Sequence, residues 1–196
     1  MPPSALAALR AAFAGHPLGP ALGWPAVHAF EAEHGVVLPE LYRLFVATIG
    51  NGCADGPPSY GLVRLGEPAD RRGDGAPLGC AITPGSPGRP FPLTAAWIWE
   101  DDPPDAVDTA RLEAVARDGF VPLGTDGCGM DWVLVTSGPH RGIVWQITGE
   151  GAQPFGALFG YTTAEPGFAG WVAHWAAGRD WFDRPGAAPA PSERTT

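Results

Sequence analysis

Apolar residues recur along this chain in two rhythms, and the rhythm changes near residue 119. Before that point the spacing is helical. Residues 4–14, "SALAALRAAFA", predict a short helix: Ala and Leu are strong helix formers, Ser4 is a capping residue and Gly15 is a stop. After a Gly/Pro loop, "GWPAVHAFEAEHG" restarts the chain. Pro25 suits a first helical turn, where its missing N–H loses nothing. Val27, Phe30 and Glu31 share one side, and Gly35 ends the segment. Pro39 opens the next helix in "LPELYRLFVATIGNG", where Leu41, Leu44, Phe45 and Thr48 stand at i, i+3, i+4 and i+7 and predict its buried face.

Residues 53–90 read mostly as loop, with one expected strand at Tyr60–Leu65, "YGLVRL". Trp97 and Trp99 are two apart and share a face if the chain is extended there. An acidic loop follows, then a short helix in "TARLEAVARDG". From Gly119 the pattern turns β-like. "FVPLG", "DWVLVT" and "GIVWQIT" are short β-prone runs separated by "TDGCGM" and "SGPHRG", which predicts a meander of hairpins. Phe168, Trp171, Val172 and Trp175 return to helical spacing and predict a closing helix. Helices, then strands, then a helix imply an α+β fold, with a mostly antiparallel or mixed sheet flanked by N-terminal helices and a C-terminal helix. The expected division is an N-terminal helix and linker (1–19), a domain (20–182) and a disordered tail (183–196).

Composition narrows the function classes. A chain of 196 residues buries roughly 70% of its unfolded surface and needs no staple. Its formal net charge is −9, it contains no Lys, and its Arg residues form no long basic run. That leaves no electrostatic footprint for nucleic acid and disfavours anionic membranes. No run of about 20 apolar residues is present, and the N-terminus lacks the pattern of a signal peptide. Three cysteines, Cys53, Cys80 and Cys128, are an odd number without a C-x-x-C pair, which argues for reduced thiols and a cytoplasmic setting.

The stretch "TDGCGMDWVLV" (125–135) concentrates candidate chemistry. Calcium needs alternating ligands and a closing Glu, which Asp126 and Asp131 lack. Cys128 has no basic neighbour to activate it, and the flanking carboxylates oppose a thiolate. A phosphate cradle needs a following helix, whereas a β-prone run follows. The histidines His16, His28, His34, His140 and His174 form no chelating motif; on one helix His28 and His34 point about 120° apart. No G-x-S-x-G elbow occurs. No catalytic residue, metal site or cofactor is therefore assigned. Charge is the stronger signal. Phe91–Val135 holds nine carboxylates against two arginines, and Glu100, Asp101, Asp102, Asp105 and Asp108 fall within nine residues. Two readings stand: a solvated loop, or an acidic docking face for a basic protein. Trp97, Trp99 and Trp132 are either core or the rim of a binding groove, while Trp171 and Trp175 are most simply core.

The order of these features resembles the SUKH superfamily, the Smi/Knr-type domains. The opening signature corresponds to Phe30, Glu31, Gly35, Leu38, Pro39, Tyr42, Phe45 and Gly50-Asn51-Gly52. The central hairpins correspond to Gly124, Asp126, Gly127, Gly129, Trp132, Gly138, Gly142, Val144 and Trp145, and the closing helix to Phe168, Trp171 and Trp175. The similarity spans most of residues 24–182, and residues 66–118 depart from it. It implies an α+β fold whose bacterial members are mostly immunity proteins that bind and neutralise a polymorphic toxin, and whose fungal members regulate cell-wall synthesis. It transfers no catalytic residue.

The expectation is thus a non-enzymatic, cytoplasmic protein-binding module, an immunity protein whose partner is a toxin or another basic protein. Its expected partner-binding residues are Trp97, Trp99, Glu100, Asp101, Asp102, Asp105, Asp108, Asp126 and Asp131. The alternatives are a scaffold for endogenous proteins, or an enzyme or ligand binder with a cleft around Trp97, Trp99 and Asp126.

Overall fold

The computed structural model of the protein describes residues 3–69, 81–83, 85–103, 106–156, 165–179 and 181. Cys80, Asp105 and the expected tail from Asp183 lie outside them. The described helices are α1 (Pro3–Ala12), α2 (Trp24–His34), α3 (Glu40–Thr48), α4 (Thr109–Val115) and α5 (Phe168–Ala176). The strands are β1 (Trp97–Ile98), β2 (Phe120–Thr125), β3 (Asp131–Val135), β4 (Val144–Ile147) and β5 (Gly151–Pro154). They form one antiparallel sheet in the order β1-β5-β4-β3-β2. The fold is α+β, with the N-terminal helices and the C-terminal helix packed on the sheet.

Both faces of the sheet are covered, so its central strands are apolar on both sides and not alternately wet. All five residues of β3 and all four of β4 are buried. Val121, Leu123, Trp132, Leu134 and Val144 meet a helix layer: Leu9 of α1 and Phe13 just beyond it, Val27 of α2, Tyr42, Phe45 and Val46 of α3, and Phe168, Trp171 and Val172 of α5. Phe120, Val133, Val135, Trp145, Ile147 and Ala152 meet a layer made mainly of irregular chain, Ile82, Phe91, Leu93 and Trp99, joined by Val115 of α4. Burying the larger members of such a set contributes roughly 1.5–3 kcal/mol per side chain before chain entropy is counted.

The helices obey their local signals. Pro25 lies in the first turn of α2, and Gly35 closes it at φ 62 in the left-handed region that glycine tolerates. The buried face of α3 differs from the expected one. It is Tyr42, Phe45, Val46 and Ala47, while Leu41, Leu44 and Thr48 are half-buried. The helix is rotated by about one residue because Phe168 of α5 packs on both Tyr42 and Phe45, and Phe13, just beyond α1, packs on Phe45.

Tyr60–Leu65 is no strand. Gly61 at φ 90 breaks the extension, and the segment makes an isolated bridge at Leu62 with Cys53 and one bond from Val63 N–H to the Leu123 carbonyl at 2.9 Å. β5 was not expected from its Gly, Ala, Gln and Pro. It exists because β4 supplies a partner across a tight turn, where the Thr148 hydroxyl accepts from Glu150 N–H and Gly151 N–H, both at 3.1 Å. Among the described residues no helix is long and apolar enough to cross a membrane.

Candidate functional site

The acidic stretch after β1 sits on a bracket of tryptophans. β1 is only two residues long because the chain tightens at once into a 3-10 turn, Trp99–Asp101. Trp97 and Trp99 do come together, edge to face with centroids 5.3 Å apart, though not on one extended strand as expected. Each indole N–H is used. Trp97 Nε1 donates to Asp102 Oδ2 at 2.8 Å, and Trp99 Nε1 donates to the Gly149 carbonyl at 2.6 Å. Glu100 N–H donates to the Glu150 carbonyl at 3.1 Å. The Arg111 guanidinium lies 4.7 Å from the Trp97 ring centroid. That cation–π contact fastens α4 to the bracket.

The carboxylates divide by role. Glu100 and Asp101 are exposed and ride on the turn. Asp102 is half-buried and holds Trp97. Asp108 caps α4, accepting from Arg111 N–H at 3.1 Å. Asp105 lies outside the described residues. Glu113 and Glu150 are exposed as well. Glu150 was missed by sequence reasoning because it is 50 positions downstream of Glu100. The only hint is the compact "TGEG" turn between two β-prone runs.

Two expected surface carboxylates are structural. Asp131 is completely buried, and its Oδ2 accepts from Ala81 N–H at 2.6 Å and Ile82 N–H at 3.2 Å. Asp126 is half-buried. Its Oδ1 accepts from Ser59 N–H at 2.9 Å and Ser59 Oγ at 2.7 Å, and its Oδ2 from Trp132 Nε1 at 2.6 Å. Asp131 is too deeply buried to meet a partner, and each of the two braces a loop that would otherwise leave N–H groups unpaired. The register Trp97–Ala152–Ile147–Asp131 also sets Asp131 three strands from the bracket, roughly 14 Å. Trp132 is core and not a groove rim.

The stretch "TDGCGM" is a hairpin turn. Gly127, Cys128 and Gly129 have φ of 84, 52 and 72, three successive left-handed residues. Thr125 Oγ1 holds them, accepting from Gly127 N–H and donating to the Met130 carbonyl, both at 3.0 Å. The Cys128 side chain faces solvent.

Among the described residues no three His, Cys, Asp or Glu side chains converge as a metal site would require. Two open clefts stand out among the described residues. One, of about 540 Å³, is lined by Phe30, His34, Glu67, Thr83 and Pro122 among others; the second, of about 840 Å³, includes Asn51, Cys53, Tyr60 and Arg64. Neither of these two is lined by Trp97, Trp99 or Asp126. Compared with protein-family models, with curated proteins and with solved structures, the chain matches none.

Proposed function

We propose that this chain is a non-enzymatic protein-binding module of the SUKH type, an immunity protein that occludes a basic toxin with its acidic turn. The observation that carries the reading is the bracket beneath Glu100 and Asp101. Two tryptophans, both hydrogen-bonded, hold these exposed carboxylates in place before any partner arrives. Preorganised charge steers encounter and avoids an ordering cost on binding. Glu113 and Glu150 extend the same sign of charge. A toxin that holds an anionic substrate presents the complementary surface.

Co-expression with the protein encoded beside this gene tests the proposal. The chain restores growth to cells making that protein if it is an immunity protein; a scaffold for endogenous partners does not. Within a captured complex, the double reversal Glu100→Lys with Asp101→Lys slows association about tenfold or more at low salt. Unchanged growth arrest together with an unchanged on-rate refutes the proposal. Asp102 is a poor choice for this test, since its reversal removes the acceptor for Trp97.

A further inference from the structure

At the β2 margin of the sheet, the opposite border from the acidic turn, irregular chain continues the hydrogen bonding outward. Val63 N–H donates to the Leu123 carbonyl of β2, Cys53 and Leu62 exchange two bonds at 2.8 and 2.9 Å, and Leu18 bridges to Cys53. The wider of the two clefts, about 840 Å³, opens over this patch. Its lining from Pro17 to Pro68 lies in the unbroken stretch 3–69.

Three polar side chains line it, those of Asn51, Arg64 and Glu67. Arg64 lies along the floor. A Cβ on Gly52 would stand 2.8 Å from Arg64 Cγ, and one on Gly19 would stand 3.7 Å from Arg64 Nε and against the Asn51 carbonyl. The stem therefore crosses Gly52, at φ 84, and its guanidinium ends beside Gly19 and Asn51. That guanidinium donates no hydrogen bond among the described residues. Glu67 Oε1 stands 3.7 Å from its Nη1, and both side chains are more than half exposed. Such a pair alone contributes little. Asn51 beside it is only 6% exposed. Its Oδ1 accepts from Leu65 N–H at 2.8 Å, which fixes the amide, while its Nδ2 donates to no described group. A fixed, unused amide donor next to the planar fork of an arginine suits a carboxylate. Cys53 also lines the cleft, but burial pushes its thiol pKa up, away from thiolate chemistry.

We infer that this cleft binds the carboxyl terminus of a peptide. The carboxylate lies on the Arg64 guanidinium and Asn51 Nδ2, and the N–H of the terminal residue donates to Glu67. An apolar terminal side chain rests on Pro17, Val63 and Pro68. Glu67 sets the selectivity: it repels a bare or doubly charged acid and accepts from one that carries a donor beside its carboxylate. The volume lies in the upper part of the range for ligand sites and is more than a single residue fills, which favours a peptide over a free amino acid. The site is separate from the acidic turn and does not depend on the reading given for it.

Heteronuclear NMR of the full-length chain follows the Asn51 side-chain NH₂ and the Gly19 and Gly52 amides. The probes are acetyl-Ala-Ala-Leu, its carboxamide, N-acetyl-leucine, and isocaproate, which lacks the N–H. The free tripeptide shifts these signals saturably, and its carboxamide binds at least about tenfold more weakly. N-acetyl-leucine moves the same signals with about tenfold lower affinity than the tripeptide. Arg64→Gln weakens the tripeptide about tenfold or more, and Glu67→Ala abolishes the preference for N-acetyl-leucine over isocaproate. Both replaced side chains are exposed, so the variants keep the fold, as their spectra show directly. No saturable shift with any probe up to about 10 mM overturns the site. Equal binding of the carboxamide, or indifference to R64Q, overturns the carboxylate clamp. Equal affinity for the tripeptide and N-acetyl-leucine overturns the peptide and makes the ligand a free acylated amino acid.

Discussion

Trp132 and Trp145 stand on adjacent strands, are both almost wholly buried, and point to opposite faces of the sheet. Trp132 faces the helix layer, packs with Phe155, Trp171 and Trp181, and has its N–H bonded to Asp126. Trp145 faces the irregular layer, where Phe91 and His140 contact it and its N–H has no partner. The helices satisfy their own backbones and need only present apolar stripes. Irregular chain over a sheet must have its backbone groups satisfied from elsewhere. Here Asp131 accepts from Ala81 and Ile82, the Thr136 hydroxyl donates to the Pro87 carbonyl at 2.7 Å, and Phe91 N–H donates to the Ser137 carbonyl at 3.0 Å. One face is held by shape and the other is laced to the sheet by polar groups.

That contrast is breakable. The largest effect is expected from Trp132→Ala, which removes a ring from a rigid cluster and costs about 3–5 kcal/mol in urea unfolding. Trp145→Ala costs about 1 kcal/mol less, because the looser layer closes in and an unpaired N–H disappears with the ring. Equal losses would refute the distinction. Next is Asp131→Ala, at about 2–3 kcal/mol. Hydrogen exchange localises its effect: the amides of Ala81 and Ile82 lose protection while those of α3 keep it.

A third test uses alkali. Tyr42 of α3 is buried with an unpartnered hydroxyl, and burial pushes its pKa far above the ordinary value near 10. Above pH 10 the unfolded chain releases that proton while the folded chain keeps it. Stability is therefore intact below pH 10 and falls by up to about 1.4 kcal/mol per pH unit above it. Tyr42→Phe flattens that slope, whereas D131A leaves it alone. The smallest effect is that of E100K with D101K, within about 0.5 kcal/mol of the parent in stability, since both side chains are exposed. A larger loss would mean that these acids hold the turn together.

The sequence made the helix face the more legible of the two. Phe168, Trp171 and Val172 at helical spacing, and Pro25 and Gly35 as start and stop, are local signals, and each landed where expected. The central strands were legible for the same reason. The rotation of α3 was not, because Phe45 belongs to both candidate stripes and only the packing of Phe13 and Phe168 decides between them. On the irregular face almost nothing is local. Asp131 meets backbone 49 and 50 residues away, and Asp126 meets Ser59 across 67. A carboxylate destined for a distant amide looks, in sequence, like one destined for water. The acidic turn was half legible: its charge is written in one run, but the bracket needs Gly149 and Glu150 from the turn between β4 and β5.

The two margins of the sheet carry a further consequence. β1 offers only two residues for pairing, and β2 contains Pro122, which has no N–H to offer, while the Leu123 carbonyl is already engaged by Val63. Neither border can template another strand from a neighbouring molecule. A chain with eight tryptophans is thereby shielded from growing into fibrils, and the guard lies in one imino acid and one abrupt bend.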